Sequence, residues 1–284
     1  MMQNKLLHVA NLWSLTDYPP NDEWPLEQKL DALKAAGFDG FTTNLTPQHS
    51  REAEKRGLVV VGYFSSSNKK KFGDLLKSQK DYGAHYINVQ LGDHDTKPSE
   101  ALRLAIRLME DADQIGGLKA AIEVHRDTCT ETPEKTYALA DGYSRETGRL
   151  LPITWDFSHI AVVKHLAPEN YIERLLIRPD LIQQAVQFHF RPFNGHHCQV
   201  PVTGPNGNLT AEVNHWLPFA AAVMRTWLDG NTKTDRTMIA VPEMGPVRGG
   251  YNLEYLPNSW DDAVRLRSLL EEIWRDHANA EGSA

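Results

Sequence analysis

The sequence predicts one α/β domain closed into a (β/α)8 barrel. Three observations lead there. Strand-like and helix-like segments alternate eight times from end to end, and no Pro-, Gly- or Ser-rich linker divides them. The first strand and its loop, LHVANLWSLTDYPP, lack the G-x-G-x-x-G turn that would mark an open nucleotide-binding sheet. The length, 284 residues, is that of a barrel of repeated βα units.

The first strand is LLHVANL, residues 6–12. An aromatic loop with Trp13, Tyr18, Pro19, Pro20 and Trp24 leads into the amphipathic helix LEQKLDALKAAG, which Gly37 stops. FDGFTTNL (38–45) is the second strand, and HSREAEKRG a short charged helix ending at Gly57. LVVVGYF (58–64) is the most β-branched run and makes the third strand. KKFGDLLKSQKDYG follows as a helix stopped at Gly83, and AHYINVQLG (84–92) as the fourth strand.

SEALRLAIRLMEDADQIGG repeats Leu and Ile near every 3.6 residues, the clearest helical signal in the chain, with Ser99 as the expected N-cap. GLKAAIEVH (117–125) is strand five, and PEKTYALADGYSRETG a helix with Pro133 in its first turn. LPITWDFSH (151–159) is strand six and PENYIERLLI its helix. LIQQAVQFHF (181–190) reads as strand seven. A loop across 193–215, rich in Gly, Pro and Asn, separates it from the helix NHWLPFAAAVMRTWLDG and is the expected lid. RTMIAVPEM (236–244) is strand eight and SWDDAVRLRSLLEEIWRDH the closing helix. The chain, 1–284, is thus expected to be a single TIM-barrel domain with a frayed tail at 278–284.

Composition narrows the function classes. Hydrophobic content of 41% and charged content of 24% are ordinary for a globular protein. No apolar run reaches bilayer length and the start lacks a signal-peptide pattern, so the expectation is a cytoplasmic protein with no membrane partner. Cys129 and Cys198 follow no metal-binding spacing and read as reduced thiols. A net charge of −7 argues against a nucleic-acid partner and leaves a small molecule as the expected one.

Four stretches break this pattern: IEVHRDT around Glu123, TWDFSHI around Asp156, VQFHFRP around His189 and AVPEMGP around Glu243. Each puts an ionisable residue where an apolar run gives way to a polar loop. Such a group is costly in an apolar interior unless it is paired or metal-bound. In barrels of this kind the active site lies at the C-terminal strand ends. Strand parity agrees, because Ala121, Glu123 and His125 share a face, as do Gln187, His189 and Arg191, and Ile239, Val241 and Glu243. Any one of the four alone would be a loop-capping carboxylate or a satisfied core histidine. Four at successive strand ends point instead to one divalent metal ion, with an oxygen-rich set and one imidazole that suit Mn²⁺, Mg²⁺, Co²⁺ or Zn²⁺.

The succession Glu123, Asp156-x-x-His159, His189 and Glu243 resembles the xylose-isomerase-like barrel superfamily. That group includes sugar (phosphate) isomerases and epimerases, ketose 3-epimerases, inosose dehydratases and, more distantly, endonuclease IV. The resemblance implies that Glu123, Asp156, His189 and Glu243 bind the metal and that Glu123 and Glu243 are the catalytic acid/base pair. It also implies that His159 contacts substrate oxygens. Arg191 stands in for an arginine that some epimerases place after the strand-seven histidine, at a different spacing. The implied activity is isomerisation or epimerisation of a small sugar, keto-sugar or polyol derivative in a homo-dimer or homo-tetramer. An inosose-type dehydratase and an endonuclease IV-like phosphodiesterase are the alternatives, with a non-catalytic sugar-binding barrel as the bland one. His125 is expected to bind substrate or to orient Glu123. Arg126 reads as a loop ion pair or a site residue, Trp13 and Tyr18 as walls for a sugar ring, and Trp155 as packed outward under a helix. His94 reads as a solvated loop residue or a second-metal ligand, and one of His196 and His197, in the long strand-seven loop, is expected to approach the mouth.

Overall fold

A computed structural model describes residues 4–230 and 236–281, with side chains as far as His277. Eight parallel strands form the sheet: β1 (Lys5–Asn11), β2 (Gly40–Thr43), β3 (Val59–Ser66), β4 (Tyr86–Leu91), β5 (Lys119–Glu123), β6 (Ile153–Thr154), β7 (Gln187–Phe190) and β8 (Thr237–Pro242). Neighbours pair in chain order and β1 also pairs with β8, so the hydrogen-bonded order runs β6-β5-β4-β3-β2-β1-β8-β7. The remaining seam is closed by a single parallel bridge between Trp155 and Phe188. There Trp155 N–H donates to the Gln187 carbonyl (3.2 Å) and His189 N–H donates to the Trp155 carbonyl (2.8 Å). The fold is a single-domain (β/α)8 TIM barrel.

The helices that cover it are α1 (Leu26–Ala35), α2 (Pro47–Arg56), α3 (Phe72–Asp81), α4 (Pro98–Ile115), α5 (Pro133–Thr147), α6 (Phe157–Val163), α7 (Tyr171–Leu175), α8 (Pro179–Gln184), α9 (Ala211–Leu228) and α10 (Ser259–Glu281). Outward strand residues such as Phe41, Ile87, Val89, Ile122 and Phe188 join Leu30, Leu104, Leu108, Trp227 and Leu266 from the helices in one apolar core. Inward residues Val9, Val61, Ile239 and Val241 form a separate plug inside the barrel. The carboxylates of Glu123, Asp156 and Glu243 enter at the C-terminal strand ends. No helix among the described residues is long and apolar enough to cross a membrane.

Several boundaries depart from the expectation. Strand six is only two residues long, because Asp156 caps a helix instead of extending the strand: its carboxylate accepts from Ser158 N–H (3.0 Å). A short polar side chain two residues ahead of a free amide competes with the ladder for that donor. LIQQ belongs to α8, which starts on Pro179 at its first turn, so β7 begins only at Gln187. PENYIERLLI divides into a 3-10 turn at Pro168–Asn170 followed by α7. The helix α4 starts two residues earlier than an N-cap at Ser99 predicts, with Pro98 at its first position and Lys97 as its N-cap. Finally, α10 continues to Glu281 through most of the expected tail, of which 282–284 lie outside the described residues.

The loop after β7 is pinned down. Val202 and Thr203 N–H donate to the Asp262 carboxylate (2.7 and 3.0 Å). The Gln199 side chain brackets Gly245, accepting from its N–H (2.6 Å) and donating to its carbonyl (2.9 Å).

Candidate metal centre

Glu123 ends β5, Asp156 follows β6, His189 lies in β7 and Glu243 follows β8. Each offers one donor atom, and the four donors lie within 4.8 Å of one another. All four residues are buried. No other group of three or more metal-ligating side chains gathers in this way among the described residues.

Amides hold the carboxylates in place. Glu123 Oε2 accepts from Asn88 Nδ2 (2.8 Å) and Gln90 Nε2 (3.0 Å), both on β4. Glu243 Oε1 accepts from Asn11 Nδ2 (2.8 Å) at the end of β1. Asp156 Oδ1 accepts from the backbone and hydroxyl of Ser158. Each carboxylate therefore has one oxygen tied down and turns the other toward the centre.

The His189 ring stands between the two glutamates. Its Nδ1 is 3.0 Å from Glu123 Oε1 and 3.0 Å from Glu243 Oε2. Despite that closeness it has hydrogen-bond geometry with neither, and it is a buried nitrogen without a partner. Its other ring nitrogen lies 2.9 Å from the Gln187 side-chain nitrogen, which fixes the ring plane. Arg191, also buried, places Nη2 3.2 Å from Asp156 Oδ2 and in contact with Glu243 Oε2.

These charges control one another. Burial pushes the Asp156 carboxyl up, but the Arg191 guanidinium and His159 outweigh it and hold Asp156 far below the usual range. Glu243 is likewise held low against its burial, by Arg191 and His189. Glu123 is lowered against its burial chiefly by His189. Burial disfavours a charged His189, yet the two glutamates raise it well above an ordinary histidine. Nearby Tyr63 is pushed up to about 12, by burial and then by the two glutamates. Three carboxylates against one guanidinium and one imidazolium leave a deficit of positive charge.

The donor set fits a divalent cation. Asp156 Oδ2 and His189 Nδ1 are buried without hydrogen-bond partners, and both residues belong to the four-residue cluster. Orphaned buried polar atoms are costly unless something binds them. Three hard carboxylates with one imidazole are ligands of the Mg²⁺, Mn²⁺, Co²⁺ and Zn²⁺ kind.

Above the cluster opens a cavity of about 720 Å³. Glu123, His125, His189, Arg191 and Glu243 line its inner end. Trp13, Trp24 and Tyr251 supply an aromatic wall, and Asn44, Thr43 and His49 a polar one. Trp13 and Tyr251 meet edge to face, with centroids 4.6 Å apart. The Tyr251 ring carries a guanidinium at each of two positions, Arg126 at 4.6 Å and Arg191 at 5.2 Å from its centroid.

The residues picked out by sequence fall into three groups. The four proposed ligands come together with Arg191, and His125 joins them on the cavity wall, its Nδ1 donating to the Arg126 carbonyl (2.6 Å). His159 lies behind that wall, its ring 4.5 Å from that of His125 and its Nε2 3.3 Å from Asp156 Oδ2. The others are elsewhere. Tyr18 packs on Trp24, and Trp155 is buried flat against Phe157, as its outward parity predicts. His94 pairs with Asp127 and Asp95 at the surface. His196 and His197 are exposed, and no residue of the 193–215 loop lines the cavity. Its aromatic wall comes instead from the loops after β1 and β8, and much of the rest from the C-terminal ends of β2 to β5 and the segments that follow β2 and β5. Sequence reasoning gave no role to Asn11, Asn88, Gln90 or Tyr251. A signal existed for two of them: Tyr86, Asn88 and Gln90 alternate on the inward face of β4, polar where its outward residues are apolar.

No protein-family model matches the chain, and no curated protein matches it in sequence. Solved structures do resemble it. A sugar phosphate isomerase/epimerase from Parabacteroides distasonis superposes with a TM-score of 0.54 at 10% identity, covering 92% of this chain and 95% of that one. A xylose isomerase-like TIM barrel protein from Mycobacterium smegmatis, in complex with magnesium, gives 0.53 at 11% identity, covering 94% and 97%. A probable 3-DHS dehydratase from Bacillus anthracis gives 0.50 at 14% identity, covering 95% and 99%. At these identities the likeness is one of fold, a (β/α)8 barrel.

Proposed function

We propose that this protein is a divalent-metal-dependent isomerase or epimerase of a small sugar, keto-sugar or polyol derivative. The observation that carries the reading is the pair Glu123 and Glu243, each with an oxygen 3.0 Å from one imidazole nitrogen, which open onto a polar cavity with an aromatic wall. Glu123, Asp156, His189 and Glu243 would hold the metal. Bound there, it supplies Lewis-acid polarisation of a substrate carbonyl and its neighbouring hydroxyl.

The remaining chemistry belongs to the side chains. One glutamate removes the weakly acidic proton α to the carbonyl, which gives an enediolate. The other, facing the opposite side of that carbon, returns a proton and inverts it, giving epimerisation. Return by the first glutamate to the adjacent carbon gives the aldose–ketose isomer instead. Asn88, Gln90 and Asn11 keep both carboxylates aimed while they work. Trp13 and Tyr251 offer their faces and edges to the apolar side of a sugar ring.

His125, on the wall beside Glu123, favours a second reading as a dehydratase, because it is placed to protonate a departing β-hydroxyl after the same enolisation. Burial pulls its pKa down, so in this reading it must first take up the proton that it delivers. A phosphodiesterase with several metals is disfavoured. At the mouth β3 and β4 present Tyr63, Asn88 and Gln90 where such a centre needs further histidines.

The test is to incubate the chain with Mn²⁺, Mg²⁺ or Co²⁺ and a panel of ketoses, aldoses and inososes in D₂O, with NMR detection of exchange and product. Glu123→Gln and Glu243→Gln should each abolish deuterium incorporation while the barrel remains folded. Undiminished turnover in both variants would overturn the reading.

A further inference from the structure

We propose that Arg191 is a displaceable counter-cation, whose guanidinium takes the place of a divalent ion between Asp156 and Glu243 and swings into the cavity when the ion arrives. The inference rests on the metal reading of the site and assigns one residue a role beyond contact with substrate.

Four observations converge on it. Arg191 is 2% exposed, and a guanidinium buried to that extent needs partners for its donors. Only Nη2 has one: it donates to Glu243 Oε2 and lies 3.2 Å from Asp156 Oδ2 without hydrogen-bond geometry, and both carboxylates belong to the set that would bind a cation. Nε and Nη1 are buried with no hydrogen-bond partner at all. The guanidinium also borders the cavity and faces the rings of Tyr251 and Trp13, 5.2 and 6.0 Å from their centroids.

An ion pair built only for stability would satisfy Nε and Nη1 as well, since a planar guanidinium pairs with carboxylates by two parallel hydrogen bonds. Here one nitrogen bonds to one carboxylate and lies 3.2 Å from a second, and the other two are left over. That is the geometry of a stand-in. A divalent ion seated on the same oxygens repels the guanidinium and takes over its partners. The aromatic faces of Tyr251 and Trp13 give the displaced cation a resting place, with Nε and Nη1 available to oxygens of a bound substrate. Metal binding and substrate binding then meet in a single side chain, and the metal is held loosely enough to be lost and regained.

The experiment compares Mn²⁺ binding to the full chain, stripped with chelator and dialysed, in the unaltered protein and in Arg191→Met and Arg191→Gln. Free Mn²⁺ is read by electron paramagnetic resonance, and folding by circular dichroism. Removal of the competing charge should tighten Mn²⁺ binding tenfold or more in whichever variant folds. Equal or weaker binding overturns the inference and leaves the metal reading intact. Absence of Mn²⁺ binding in the unaltered protein and in both variants overturns the two together. A crystal structure of the unaltered protein grown with Mn²⁺ decides independently of any substitution. The guanidinium turned onto Tyr251 supports the proposal, and Nη2 still bridging Asp156 and Glu243 beside a bound ion refutes it.

Discussion

Gly245→Ala tests whether the aromatic wall is built to fixed dimensions. A Cβ at this position would lie 2.4 Å from Trp13 Cη2 and 2.7 Å from Tyr251 Cβ. The glycine cannot retreat, because Gln199 holds both its N–H and its carbonyl, and Ser259 Oγ donates to the same carbonyl (2.6 Å). The rings must therefore move. Ordinary carbon–carbon contact is about 3.5–4.0 Å, so the indole has to withdraw by about 1 Å or more. Overpacking of this kind costs about 1–3 kcal/mol. A domain of this size loses roughly 2–4 °C of Tm per kcal/mol. The melting temperature should fall accordingly with the far-UV circular dichroism unchanged. The near-UV signal should weaken as the edge-to-face pair of Trp13 and Tyr251 comes apart. Once a substrate is in hand, its KM should rise about tenfold, on the scale of one lost aromatic contact. An alanine variant with the parent's Tm and near-UV spectrum would refute the reasoning.

Other outcomes follow from the cluster. In chelator-treated protein, Glu243→Gln leaves Arg191 and His189 short of a buried carboxylate and should cost about 3 kcal/mol; a loss below about 1 kcal/mol in urea melts would contradict the ion pairing described here. The raised pKa of His189 means that its charged form stabilises the metal-free fold fully below the unfolded-state value of about 6.5, and that this contribution fades as pH rises through the folded value. The stability difference between the parent and His189→Gln should therefore shrink between pH 6.5 and 9, and growth over that interval would refute the sign. The depressed Asp156, Glu123 and Glu243 act oppositely: their contribution is present above the unfolded-state value of about 4 and is lost as pH falls through the folded values. Addition of Mn²⁺ to a hundred times its Kd should stabilise the stripped protein by about 2.7 kcal/mol, measured as a rise in Tm, and an unchanged Tm would count against the centre.

The barrel could be read from the sequence because strands buried on both faces appear as short apolar runs between amphipathic helices, and LVVVGYF and RTMIAVPEM do so plainly. The four proposed ligands were visible for the same reason: each is an ionisable residue at the end of such a run. Local capping was less visible. Asp156 and Ser158 share strand parity, which hid the fact that the aspartate starts a helix through that serine. In LIQQAVQFHF the apolar spacing suits a strand, but Pro179 upstream seeds a helical turn. Tyr251 left no trace at all, since its place depends on the missing side chain of Gly245 and on Trp13, more than two hundred positions away. The parity of Arg191 showed only that it points inward. That its Nη2 falls between Asp156 and Glu243 depends on how side chains from three strands reach one point, which no spacing along the chain encodes.

One consequence lies in the seam. The two-residue β6 and β7 are joined only at Trp155 and Phe188, and the next residues along, Asp156 and His189, stand on either bank of that join. Anything that draws this carboxylate and this imidazole together also fastens the cylinder where its own ladder is thinnest. The chemistry of the centre and the closure of the wall are then one mechanical problem, and amides of β6 and β7 should be the first to exchange with solvent whenever the two donors part.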